Sequence, residues 1–94
     1  MIRLHYLSPA RADLRHIITY IGRENPRAAR IVRDEIDRRA SQLIDHPESA
    51  PAGRLVGTRE LVVGRYPYTL VYRVRGDRVE VLRILHEAQR WPPE

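Results

Sequence analysis

The sequence predicts an α+β domain: an N-terminal strand, then an antiparallel helical hairpin packed on a largely antiparallel sheet that ends in a three-stranded meander. Three observations carry this reading. From Arg59 to Trp91, three short runs rich in Val, Leu and Tyr are separated by turn residues. Upstream, two stretches repeat their apolar residues at helical spacing. Ahead of both, Ile2 to Tyr6 alternates apolar and polar residues, the pattern of a half-buried strand.

After that strand, Ser8-Pro9 gives a helix start, with Ser8 as N-cap, Pro9 at the first helical position and Asp13 in the early turns. Leu14, Ile17, Ile18 and Ile21 fall on one helical face, and Gly22 is the expected stop. Asn25-Pro26 repeats the start signal almost at once. Ala29, Val32, Ile36, Ala40, Leu43 and Ile44 then mark the stripe of a longer helix that ends at or before His46-Pro47. So short a connection makes the two helices antiparallel neighbours. The polar side of the second helix mixes Arg27, Arg30, Arg33, Arg38 and Arg39 with Asp34, Glu35 and Asp37. That mixture reads as a solvated, ion-paired face, because the acids cancel most of the field a nucleic acid would need. Pro47 to Thr58, rich in Pro, Gly and Ala, reads as a loop.

The last hairpin can be registered. A two-residue turn at Gly76-Asp77 sets Arg75 opposite Arg78, then Val74/Val79, Arg73/Glu80, Tyr72/Val81, Val71/Leu82, Leu70/Arg83, Thr69/Ile84 and Tyr68/Leu85. In this register Tyr68, Leu70, Tyr72, Val74, Val79, Val81 and Leu85 face the helices, with Arg83 as the only charge among them. Val71, Leu82 and Ile84 fall on the opposite face, near the Arg73/Glu80 pair and with His86 at the rim. An apolar patch with a basic edge reads as a protein-binding surface. The alternatives are that the C-terminal tail folds back over it, or that a shifted register exchanges the faces.

Ninety-four residues, 43% apolar and 31% charged, make one domain over 1–94. No run of apolar residues is long enough to cross a membrane, and the charged N-terminus does not read as a signal peptide. Cysteine is absent, which excludes disulfides and thiolate metal sites and fits a cytoplasmic location. The net charge is +5 and all seventeen basic residues are arginine. Arginine codon bias explains such a composition, and so does function, since guanidinium forks bind phosphate or carboxylate at two points. The expected partners are therefore acidic, whether nucleic acid or protein.

Several chemistries are missing. There is no phosphate-binding GxxxxGK[ST] loop, no GxGxxG, no HExxH and no nucleophile elbow. His5, His16, His46 and His86 are scattered over different elements, so neither a metal nor a cofactor is implied. What remains is arginine plus one histidine. Arg59, Arg65, Arg73 or Arg83 could neutralise a phosphate, His86 could move a proton, and Trp91, Tyr66 or Tyr68 could stack a base, which together would make a metal-free ribonuclease. A lone histidine at a strand end is more often structural.

In order and spacing, SPARADLRHIITYI, ENPRAAR, the helix end at HP, RELVV followed by PYTLVYRV, and VEVLRILHEAQRWP resemble the RelE/ParE superfamily of toxins from bacterial type II toxin–antitoxin modules. The resemblance covers nearly the whole chain. It implies the fold described above and neutralisation by a cognate antitoxin in a hetero-oligomeric complex. It also implies one of two targets. ParE-type members poison DNA gyrase, whereas RelE-type members cut messenger RNA on the ribosome. The loop before the second strand offers only Arg54 where the nucleases carry several basic residues. No tyrosine follows Tyr72, and LHEAQRWP is similar to ParE-type endings. The sequence is therefore closer to ParE. On that reading there is no catalytic residue, Arg83, His86, Gln89, Arg90 and Trp91 face the target, and Val71, Arg73, Leu82 and Ile84 form the antitoxin patch. On the nuclease reading Arg65 and His86 do the work, Arg59 also contacts phosphate, and His86→Ala abolishes toxicity.

Overall fold

The computed structural model describes residues 1–93. Strand β1 (Arg3–Tyr6) leads into helices α1 (Ser8–Gly22) and α2 (Pro26–Asp45), followed by strands β2 (Arg59–Val62), β3 (Tyr68–Arg75) and β4 (Arg78–His86). The four strands form one sheet in the order β1-β4-β3-β2. The expected meander is present, with β2/β3 and β3/β4 antiparallel, while β1 lies parallel to β4. The helical hairpin covers one face. Ile17, Val32, Ile36, Ala40 and Leu43 from the helices pack with Leu61, Leu70, Tyr72, Val79, Val81 and Ile84 from the sheet.

The helix boundaries follow from local chemistry. Asn25 caps α2 as expected, its Oδ1 accepting the Ala28 N–H at 3.0 Å, with Pro26 in the first turn. At α1 the expected cap is displaced by one residue. Leu7 holds the N-cap position in extended geometry and offers no side-chain cap. The reason lies in the sheet, where the Leu7 N–H is still bonded to the Val81 carbonyl at 2.9 Å, so the chain passes from strand pairing directly into the helix. Ser8 instead accepts from Arg11 at 3.2 Å. The mixed face of α2 carries the expected local ion pairs, the tightest being Arg38 to Glu35 at 2.7 Å.

The β3/β4 register corrects the sequence reading past Tyr72. The pairs Arg75/Arg78, Val74/Val79, Arg73/Glu80 and Tyr72/Val81 stand as expected. A β-bulge then sets Val71 opposite Arg83, leaving Leu82 as the extra residue, so that Leu70 meets Ile84, Thr69 meets Leu85 and Tyr68 meets His86. The bulge comes where β1 gives out, its last partner on β4 being Val81. Beyond that point the Asp13 carboxylate of α1 accepts the Ile84 N–H at 2.9 Å, serving the strand edge in place of another strand.

One inserted residue exchanges the faces of everything after it. Ile84 turns into the helix-facing core and is 2% exposed, while Leu85, expected in that core, lies on the other face. Val71, expected at a surface, is fully buried, and Leu82 keeps only partial exposure. The C-terminal tail reaches the strand row to which Val71 belongs. Glu60, Val71 and Arg83 lie in one row across β2, β3 and β4. Arg54 grips Glu60 at 2.9 Å and donates to the Trp91 carbonyl at 3.3 Å, and the Arg83 guanidinium sits 5.6 Å from the Trp91 ring centre. Trp91 is therefore tied to both ends of the row that contains Val71.

Candidate functional site

The C-terminal end of β4 and the last turns of α1 enclose a cavity of about 510 Å³. Ile17 and Ile84 contribute apolar side chains, while His16 and Tyr20 from α1 and Tyr68 and His86 from the sheet supply rings. Asp13 and Gln89 complete the lining. These α1 residues were not picked out as functional in the sequence. Asp13, His16, Ile17 and Tyr20 recur at i, i+3, i+4 and i+7, a polar and aromatic face beside the apolar stripe, which is the signal that could have found them.

Asp13 organises the site. Its carboxylate accepts from Arg83 Nε at 2.7 Å and from Arg83 Nη2 at 3.1 Å as well as from the Ile84 N–H. Both oxygens are thus engaged and the charge is matched. The guanidinium so fixed faces the Trp91 ring at cation–π distance, which links α1 through β4 to the tail. Trp91 Nε1 is buried and finds no acceptor among the described residues.

His86 is also held in one arrangement. Its ring meets Tyr68 edge-on, with centres 5.5 Å apart and planes at 86°. Its Nδ1 accepts the Ala88 N–H at 3.0 Å, and its own main-chain N–H donates to Gln89 Oε1 at 3.3 Å. With Nδ1 accepting, the neutral ring carries its proton on Nε2 and presents a donor to its surroundings. Burial raises the Tyr68 phenol above its ordinary pKa, and the nearby Tyr20 adds to the rise.

The other arginines separate by task. Arg59 donates to the carbonyls of Ala50 at 2.7 Å and Glu48 at 3.2 Å, so it pins the loop ahead of β2. Arg73 binds Glu80 at 2.7 Å, with Arg75 and Arg78 each 3.9 Å from the same carboxylate. The hydrogen bond from Arg73 and the charges of all three guanidiniums hold Glu80 below its ordinary pKa. Arg65 lines a separate cavity of about 440 Å³ with Tyr66 and Glu87, and that cavity shares only Tyr68 with the one containing His86. Arg90 and Gln89 are exposed on the tail. The structure therefore gathers His86 and Gln89 at one cavity, adds Arg83 and Trp91 beside it through Asp13, and leaves Arg59 and Arg65 outside. Among the described residues no cluster of His, Cys, Asp or Glu can hold a metal ion, and no helix is long and apolar enough to cross a membrane.

The fold is thus a two-helix hairpin laid on one face of a four-stranded mixed sheet. The family model described as the ParE toxin of the type II toxin–antitoxin system parDE matches residues 4–91. This chain is a member of the ParE toxin family. It is 37% identical over 90 residues to a Sinorhizobium fredii protein named "Putative toxin Y4kP", which covers 96% of this chain and 93% of that one. A solved structure titled "Chromosomal ParDE TA system from P. aeruginosa" superimposes with a TM-score of 0.83 at 25% identity, covering 92% of this chain and 96% of that chain.

Proposed function

We propose that this toxin acts on DNA gyrase by binding, without catalysis of its own, and that a cognate antitoxin neutralises it. One observation carries the preference for binding over cleavage: the groups a metal-free ribonuclease would use are already committed to the fold. Arg59 is spent on two loop carbonyls, Arg83 on Asp13, and His86 Nδ1 on the Ala88 N–H. A cleavage site needs its cation and its base converging on one phosphate, whereas Arg65 and His86 line different cavities. The target-facing surface comprises His86, Gln89 and Arg90, with Trp91 and Arg83 fixing the shape of the tail.

The antitoxin contacts Leu82 and the Arg73 rim, while Val71 and Ile84 are buried and lie outside that contact. Its acids would meet the rim arginines, matching the net charge of +5. The rival reading, a ribosome-dependent messenger-RNA endonuclease, keeps one observation in its favour. Arg65 is exposed, and its charge helps hold the Glu35 carboxyl below its ordinary value. The deciding assay adds purified toxin to DNA gyrase and relaxed plasmid. Loss of supercoiling with gyrase trapped on cleaved DNA supports the gyrase reading. Undisturbed supercoiling, together with transcripts cut on ribosomes, would replace it with the endonuclease.

A further inference from the structure

The 510 Å³ cavity has a composition unlike the rest of the surface. Two isoleucines contribute the apolar lining, Ile17 at 9% and Ile84 at 2% exposure, so this part of the wall is dry. Around them stand the rings of His16, Tyr20, Tyr68 and His86. The uncommitted polar groups of the lining are mainly donors. His86 presents Nε2–H because Nδ1 is taken. Gln89 has its oxygen on the His86 main-chain N–H, which leaves its amide hydrogens. The phenols of Tyr20 and Tyr68 add two hydroxyls. The only carboxylate, Asp13, is already satisfied by Arg83 and Ile84.

This inventory discriminates among occupants. A lysine or arginine side chain would enter a chain of net charge +5 and find no unmatched acid. An aliphatic side chain would fill the space while leaving the donors stripped of water and unpaired. A planar ring bearing an acceptor satisfies both halves: its faces pack on the rings and isoleucines, and its polar edge takes the donors. The volume falls in the range of small-molecule pockets and has room for a single ring, and buried aromatic anchors dominate the energetics of many protein interfaces.

We infer that this cavity is the socket for a tyrosine-type aromatic side chain of the toxin's protein target, with His16, Tyr20, Tyr68 and His86 as its walls. The inference rests on the reading that the toxin works by binding a protein. Tyr20, 69% exposed at α1, is the accessible wall of the socket, and Ile17 and Ile84 set its depth.

The test titrates N-acetyltyrosinamide, and in parallel N-acetylleucinamide and N-acetylargininamide, into isotope-labelled full-length toxin while amide and ring resonances are recorded. The expected result is saturable binding of the tyrosine amide alone, with a Kd on the order of millimolar for so small a fragment. Its shifts should be confined to the lining residues. His16→Trp, which fills the cavity, and Tyr20→Ala, which opens its wall, should each weaken binding at least tenfold and weaken gyrase inhibition by a similar factor, while antitoxin affinity stays unchanged. Scattered shifts, or equal binding of all three amides, would overturn the socket. So would full gyrase inhibition by both variants, or a loss confined to antitoxin binding, which would give the cavity to the antitoxin instead. If the tyrosine amide binds as expected but the wild-type toxin leaves gyrase untouched, the socket stands and the gyrase assignment falls.

Discussion

Asp13 and Arg83 stand 70 residues apart in sequence and meet through paired hydrogen bonds of 2.7 and 3.1 Å, with side chains only 18% and 27% exposed. The same carboxylate takes the Ile84 N–H, so one side chain closes the strand edge that β1 leaves open and fixes the guanidinium facing Trp91. The tail is thereby coupled to α1. Replacing Asp13 by Ala leaves a half-buried guanidinium and a strand N–H unpaired, at a cost of about 2–4 kcal/mol. Urea denaturation should show a lower midpoint, and Trp91 fluorescence should shift to longer wavelength as the tail loosens. An unchanged emission spectrum in the folded variant would show that the tail does not depend on this pair.

Deleting Leu82 tests the bulge. Without the extra residue, β4 pairs with β3 in continuous register and every pair from Val71/Arg83 to Tyr68/His86 is kept, so Ile84 stays in the core. The deletion variant should therefore fold with the same core and lose only the Leu82 side chain and the local twist of the bulge, about 1–2 kcal/mol. Leu82→Ala keeps the register and, at a half-exposed site, should cost about 1 kcal/mol. A deletion variant that fails to fold while Leu82→Ala folds would count against Leu82 as the surplus residue of the bulge.

Tyr72 is fully buried, and its hydroxyl donates to the Pro47 carbonyl at 2.8 Å, tying the loop after α2 to the middle of the sheet. Tyr72→Phe keeps the packing and removes that bond, so it should cost about 1 kcal/mol. Hydrogen exchange should speed up between residues 47 and 58 more than in the helices. A uniform change would assign the tyrosine to general packing.

Acid should unfold the protein through its arginine-bound carboxylates. Glu80 and Glu60 are both held below the ordinary glutamate value of 4.5, chiefly by hydrogen bonds from Arg73 and Arg54. A depressed folded pKa means that the unfolded chain takes up protons first as pH falls. The stability from these pairs is full above about 4.5 and disappears as pH drops through the lower folded values. Glu80→Gln should flatten this acid-side decline, measured as urea midpoint against pH. An identical slope in the variant would locate the acid sensitivity elsewhere.

The parts of the fold governed by local rules were legible in the sequence. The Asn25 cap, the stripe from Ala29 to Leu43 and the Gly76-Asp77 turn depend on neighbours within a few residues, and each is found where the pattern places it. The parts decided at long range were not. The bulge depends on β1 ending beside Val81 and on Asp13 arriving from α1, and neither shows in the β4 sequence. The displaced Ser8 cap has the same origin, since strand pairing at Leu7 decides where the helix begins. At the site, His86 and Gln89 were identifiable as a C-terminal polar end, but their cavity exists only once α1 brings His16 and Tyr20 alongside. Of the proposed antitoxin patch, Arg73 and Leu82 are at the surface, while Val71 and Ile84 are buried.

The central claim is that this toxin kills by trapping gyrase rather than by cutting RNA, and its most direct measurement is made in cells. The protein is induced without its antitoxin, and DNA and messenger RNA are recovered from the arrested culture, with His86→Ala carried alongside. The account predicts double-strand breaks with gyrase covalently held on DNA, intact transcripts, and a variant weakened in step with its gyrase binding. Transcripts cleaved on the ribosome over intact DNA, with His86→Ala abolishing both cleavage and arrest, would contradict it.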